Sequence, residues 1–310
     1  MPAIAFGTYA SGRESERREA PAVICDGAIY DAEALRAAGI HVPAGDWSNG
    51  EAGQFLANLC ADASDWGAVA AKVRDAAASG KVRAVSGAEL CAPFRPGRIF
   101  CAASNFVDHA DEMGTVLAAK AVSKPYMFLK LEDCIIGTGQ PVVMPEGTAK
   151  LDWEVELAAV IGKRARHVSV ADALSHVAAY TVVNDVTARD LNVRGDYPFK
   201  FDWFQGKCHD SFAPFGPWLV PASQIPDPQK VSLSLSVNGT MMQQGTAEEM
   251  IWKVNEQIAY LSTILTLKPG DVIATGTPTG VGMGRGIFLK RGDVMTAAIA
   301  EIGEITNPVQ

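Results

Sequence analysis

Leu151-Asp152-Trp153-Glu154-Val155-Glu156-Leu157-Ala158-Ala159-Val160-Ile161-Gly162-Lys163 is the stretch on which the reading of the whole chain turns. From Val155 to Ile161 it is an apolar run of strand length, closed by Gly162-Lys163, with acids at its head. Residues two apart on a strand point to one face, so Glu154 and Glu156 project together. Carboxylates that close repel and raise each other's pKa unless a cation stands between them. A hard divalent ion meets that need, because Mg²⁺ and Ca²⁺ prefer carboxylate oxygens. By itself Glu-x-Glu is more often the solvated face of an edge strand. The next apolar run, Val177–Asn184, reads as a buried strand and ends in Asp185, a plausible third ligand.

Working outward, strand signals dominate from Arg98 onward. Ile99–Ala102, Tyr126–Leu131 and Gln140–Met144 are short runs between Pro and Gly punctuation. Val231–Val237 alternates strictly and closes in Asn238-Gly239, a type I′ hairpin signal. Asp271–Thr275 predicts a strand entering a Gly-rich loop, and Val294–Ile299 predicts another. Val170–His176 predicts a short helix, and Glu248–Leu265 predicts a long one, with Ile251, Val254, Ile258, Leu261 and Leu265 at helical spacing. Many strands, few helices and no regular βαβ alternation predict a β-rich α+β fold. Residues 1–92 read differently. Ala22–Ile29 suggests a strand turned at Cys25-Asp26-Gly27, Ala-rich helical patterns follow at Asp31–Ala38 and Asp65–Ala78, and no cluster of catalytic residue types occurs. This segment is expected to be a small N-terminal accessory domain, with 93–310 the catalytic one.

Composition narrows the function. A net charge of −8 and no basic run argue against nucleic acid as a partner. The six cysteines are scattered without a C-x-x-C, which fits reduced thiols better than a disulfide framework or a zinc site. The N-terminus lacks the apolar core of a secretory signal, and no uninterrupted apolar stretch is long enough for a membrane span. A cytoplasmic protein with no membrane partner is expected.

Four ordered blocks carry a resemblance. Leu151–Leu157 with Val160-Ile161-Gly162-Lys163 is similar to the core signature of the fumarylacetoacetate hydrolase superfamily. Asn184-Asp185-Val186-Thr187-Ala188-Arg189-Asp190 resembles its second block. Gly206–Pro214 with Gly216-Pro217-Trp218 resembles the third, and Thr275-Gly276-Thr277-Pro278-Thr279-Gly280-Val281-Gly282 the fourth. The resemblance implies a mixed β-sandwich roll, usually dimeric. It implies a divalent metal, Mg²⁺ foremost with Mn²⁺ or Ca²⁺ as alternatives, held by Glu154, Glu156 and Asp185.

It also implies chemistry on a small oxo acid. The expected reaction is hydrolysis of a C–C bond in an acylpyruvate or other diketo acid, through chelation of the dioxo group and stabilisation of the departing enolate. The alternative is decarboxylation, tautomerisation, isomerisation or dehydration of a related 2-oxo acid. His109 and Glu112, at i and i+3 on a short helix, are the expected base pair, on a lid that excludes water. Lys207 is expected to hold the enolate. Lys130, Arg189, Asn192 and Thr277 are expected to bind substrate, Arg189 through a bidentate fork. Asp152 is expected to accept a hydrogen bond from water on the metal. Cys208-His209 stands where Ser-Phe is more usual in the family; on a strand His209 would share a face with Lys207. The aromatic stretch Tyr197–Phe204 walls the pocket or packs at a dimer interface.

Overall fold

The computed structural model describes residues 2–12, 18–48 and 52–310. Its spine is a large mixed sheet. Along the main path, strands follow in the order 28–31, 18–25, 5–11, 213–221, 177–184, 155–161, 272–274, 99–103 and 126–130. Strand Val155–Ile161 sits between Val177–Asn184 and Val272–Ala274, antiparallel to both. Every one of its residues is buried. That explains why it is apolar apart from Glu156: both faces of the strand are covered.

The two faces meet different layers. Leu157, Ala159 and Ile161 join the core shared with a second, four-stranded sheet of strands 240–246, 232–237, 294–299 and 303–308. The alternation in Ser232–Val237 places Leu233, Leu235 and Val237 inward. Its turn residues Asn238 and Gly239 both have positive φ, 51° and 77°, as a type I′ turn requires. On the opposite face, Ala158 and Val160 pack with Trp47, Phe55 and Leu56 from the N-terminal segment. Glu154 and Glu156 have the parity of this second face.

The described residues of the N-terminal segment share a core with the strands that follow. Phe6 pairs with Leu219, so Ala5–Ser11 extends the central sheet, and Trp47 and Phe55 bury against catalytic-domain strands. The expected hairpin is present, with Asp26 and Gly27 at φ 50° and 78°. Helices Ala32–Ala37 and Trp66–Ala78 start at Asp31 and Asp65, whose carboxylates accept backbone N–H groups of the first turn. A third helix, Ala52–Ala61, lay outside the sequence expectations.

Two other expectations are corrected. Glu248–Leu265 is a 3-10 turn, Ala247–Glu249, and a separate helix, Val254–Ile264. The break falls where Asn105 takes the intervening N–H groups: Ile251 donates to its carbonyl at 2.7 Å and Trp252 to its side-chain oxygen at 2.8 Å. Gln140–Met144 is not a strand. Prolines 141 and 145 bracket it, and only Val142 bridges, to Val309.

Candidate metal centre

The pairing of strands 155–161 and 177–184 assembles the centre. Val183 lies opposite Glu156, and Asn184 opposite Val155. Just beyond the last pair, Asp185 N–H donates to the Glu154 carbonyl at 2.8 Å, and Asn184 Oδ1 accepts the Glu154 N–H at 2.9 Å. This clamp brings carboxylate oxygens of Glu154, Glu156 and Asp185 within 4.8 Å of one another, all three buried.

Three cations answer them. Lys207 Nζ lies 2.8 Å from Glu154 Oε2 and 2.6 Å from Asp185 Oδ2. Arg189 Nη2 lies 2.5 Å from Glu154 Oε1, and Lys130 Nζ 2.8 Å from Asp185 Oδ1. Burial works against charge on Glu154, yet Lys207 and Arg189 hold its carboxyl below the ordinary range. Glu156 has no such partner. Burial, then the charges of Asp185 and Glu154, push its carboxyl well above the usual range, opposed by one N–H from Gly276 at 2.7 Å. Burial likewise opposes charge on Lys207, but Asp185 and Glu154 hold its ammonium above the usual lysine value.

The residues fit a hard divalent ion. Asp185 Oδ1 is buried and accepts no hydrogen bond. Its neighbour Lys130 is close but turned elsewhere, with its N–H groups given to the carbonyls of Val186 and Phe212 at 3.0 Å each and of Lys207. An ammonium has three donors, so none remains for Asp185. A buried oxygen without a donor, beside a carboxyl whose pKa is raised by burial and by like charges, is an arrangement that a cation satisfies.

The same donor count moves Lys130 out of the expected substrate contact, since it is fully buried and ties three loops together beneath the centre. Arg189 turns one edge of its fork to the protein, with Nε 2.8 Å from Asp152 Oδ2 and Nη2 on Glu154. Asp152 does not face the triad: its other contacts are the N–H groups of Gly282 at 2.6 Å, Met283 at 2.9 Å and its neighbour Trp153. The Thr277 hydroxyl donates to the Val155 carbonyl and accepts from Gln243, both at 2.8 Å, so its proton is not free for a substrate. Lys207 ends the helix Trp203–Lys207 rather than lying on a strand, and His209 turns away to pack 4.8 Å from the Phe212 ring.

A cavity of about 430 Å³ opens over Glu154 and Glu156. Its lining brings together Glu154, Glu156, Lys207, His109, Arg189 and Asn192. His109 projects from helix Val107–Glu112, with Nδ1 3.5 Å from Glu112 Oε2. Both Glu112 oxygens accept the Gly280 N–H at 3.0 Å, which pins this helix against the Gly-rich loop. Burial disfavours charge on Glu112, but His109 and the Gly280 N–H hold its pKa below the usual value. Gly284 makes room, since a Cβ there would lie 2.0 Å from Glu112 Cγ. Asn192 Oδ1 is buried without a partner, and a Cβ on Gly206 would lie 1.7 Å from it. Phe128 and Trp203 wall the cavity at 5.0 and 5.9 Å from Lys207 Nζ. Of the aromatic stretch, Phe201 and Trp203 line the cavity, while Tyr197, Phe199 and Phe204 are exposed.

Sequence reasoning gave no role to Asn105, Gln243 or Gln257. Asn105 and Gln257 donate to the Thr275 carbonyl at 2.7 and 3.2 Å, and Gln243 to Thr277 and the Pro278 carbonyl. Together they fix the loop whose Gly276 N–H reaches Glu156. The available signal was an amide within an otherwise apolar pattern, as at Gln257 in the helix Val254–Ile264. Among the described residues, no helix is long and apolar enough to cross a membrane.

Residues 98–310 match the family model described as fumarylacetoacetate (FAA) hydrolase C-terminal. A human mitochondrial oxaloacetate tautomerase is 41% identical over 217 residues, covering 69% of this chain and 67% of the relative. The solved fumarylacetoacetate hydrolase of psychrophilic Exiguobacterium antarcticum superposes with TM-score 0.74 at 30% identity, covering 99% of each chain. A fumarylpyruvate hydrolase from Pseudomonas aeruginosa, solved with Mn²⁺ and pyruvate, has TM-score 0.62 at 35% identity over 73% of this chain and 93% of its own. The chain belongs to the fumarylacetoacetate hydrolase family.

Proposed function

We propose that this enzyme interconverts the keto and enol forms of a 2-oxo acid, with a divalent ion held by Glu154, Glu156 and Asp185. One observation carries the reading: His109, with Glu112 behind it at 3.5 Å, faces the same cavity as Glu154, Glu156 and Lys207. The 41% identity to an oxaloacetate tautomerase supports it. When bound, Mg²⁺ or a similar ion supplies Lewis acidity to the chelated oxo-acid edge. The protein supplies the proton transfer. In the keto-to-enol direction His109 takes a proton from C3, and the electron pair left behind moves onto the 2-oxo oxygen. Lys207 has two N–H groups on Glu154 and Asp185, and the third is available to that oxygen as charge develops. The proton held by His109 then passes to that oxygen, directly or through water, which restores the base; in the reverse direction His109 takes the enol proton and returns it to C3. Glu112 fixes the orientation of the His109 ring. Asn192 and the outer edge of Arg189 are placed to orient the substrate carboxylate.

Hydrolysis of an acylpyruvate is the second reading. It is favoured by the likeness to the fumarylpyruvate hydrolase and by the same base, which could take its proton from water rather than from C3. Loss of enol absorbance from oxaloacetate, with and without Mg²⁺, tests the first reading. Acylpyruvate cleaved into two fragments with solvent oxygen in the acid product, and no catalysed enol conversion, would replace it with the second. We further infer a homodimer, supported by exposed apolar side chains at Tyr126, Leu129, Phe199 and Phe204.

A further inference from the structure

The catalytic cavity is not closed at its far end. It shares Ala103, Ser104, Thr115, Phe201 and Trp203 with a second chamber of about 940 Å³. The outer chamber is bounded by segment 114–120, by Tyr126, and by Ile251 and Trp252. Volumes of this order hold a drug-sized ligand, well beyond a four-carbon acid.

The chamber's chemistry is mainly apolar. Val107, Leu117, Tyr126, Ile251 and Trp252 supply its walls. A second carboxylate placed here would need a dedicated partner. The Lys120 ammonium is taken by Glu256 at 2.7 Å and lies 4.9 Å from the Trp252 ring. Lys124 and Asp111 stand exposed, one of each sign, and offer no enclosed cationic site. Charge therefore belongs at the triad end and apolar surface at the other.

We propose that the substrate is a 2-oxo acid bearing an aryl or branched-alkyl group, which enters the outer chamber between Phe201, Trp203 and Thr115. This rests on the reading of the triad end as a 2-oxo-acid site, and it names the substrate class of that site. It separates this chain's preference from that of an enzyme selective for a short dicarboxylic acid.

The test compares acetylpyruvate with benzoylpyruvate, which share the reacting group and differ in a methyl against a phenyl. The full chain loaded with Mg²⁺ is assayed for enol conversion and for cleavage, and binding is read separately by titration calorimetry. Benzoylpyruvate is expected to have kcat/KM about tenfold or more above acetylpyruvate. Ala119→Trp, which fills the outer chamber without touching the catalytic cavity, is expected to erase most of that preference through KM, with acetylpyruvate changed less than about twofold. Leu117→Gln, a milder change, is expected to reduce it in the same direction. Equal handling of the two acids, or a preference that survives Ala119→Trp, overturns the proposal while leaving the 2-oxo-acid site standing. Tighter binding of benzoylpyruvate without turnover of either acid upholds the chamber and overturns the catalytic reading instead.

Discussion

Lys130 Nζ lies 2.8 Å from Asp185 Oδ1, and yet that oxygen accepts no hydrogen bond. The ammonium points its donors at three backbone carbonyls, of Val186, Lys207 and Phe212. The two lysines of the centre thus have different tasks. Lys130 supplies charge and holds the loops, whereas Lys207 faces the cavity.

Lys130→Met is therefore expected to act on stability. It leaves three buried carbonyls and a carboxylate without their cation, a change that costs about 3–5 kcal/mol when a buried pair loses one partner. Thermal unfolding of the metal-free protein measures it. Lys207→Met also leaves buried Glu154 and Asp185 without their ammonium and is expected to cost stability, but beyond that it is expected to lower kcat about 10²–10³-fold, as loss of a charge-stabilising donor does. Equal melting losses in the two variants, with equal activity losses, would contradict this division.

Glu156 gives the centre a pH dependence of defined sign. Burial and its acidic neighbours raise its pKa in the folded state. Its contribution to the stability of the metal-free protein is fully present below the unfolded carboxyl value and is lost as pH rises through the folded one. Wild type minus Glu156→Gln, in melting temperature against pH, should slope downward across that window. A cation must displace the proton, so apparent Mg²⁺ affinity is expected to rise about tenfold per pH unit in the same window. An affinity flat in pH, with no proton released on binding, would count against Glu156 as a ligand.

His109 and Glu112 are expected to act as a unit. His109→Asn should lower kcat about 10²–10⁴-fold, the range for a lost general base. Gly284→Ala should imitate Glu112→Gln in part, because the added Cβ meets Glu112 Cγ at 2.0 Å. The double variant should then lose less than the product of the singles, as coupled neighbours do. Strict additivity would mean that Gly284 does not act through Glu112.

Much of this was legible along the chain. Val155–Ile161, Val177–Asn184 and Val294–Ile299 are buried on one or both faces, and burial writes itself into a local pattern. The Glu-x-Glu spacing and the acid ending the next strand only suggested the triad, and the ordered blocks implied it; adjacent antiparallel strands bring those ends together. Donor allocation was not legible. The acceptors of Lys130 come from positions 186, 207 and 212, so its removal from the substrate is a property of three loops meeting. Asp152 and Thr277 escaped for the same reason, each satisfied in part by a partner more than a hundred residues away in sequence. The N-terminal segment looked separate because it holds no chemistry, although its Phe6 strand completes the central sheet.

The central claim is that Glu154, Glu156 and Asp185 hold one divalent ion on which catalysis depends. Titrating Mn²⁺ into chelator-treated protein, with free Mn²⁺ read by electron paramagnetic resonance and turnover of oxaloacetate enol read in parallel, tests it most directly. The account predicts one ion bound per chain, activity rising with occupancy, and loss of both in Glu156→Gln and in Asp185→Asn while the variants stay folded. Full activity in the stripped protein, or undiminished binding in both variants, would contradict it.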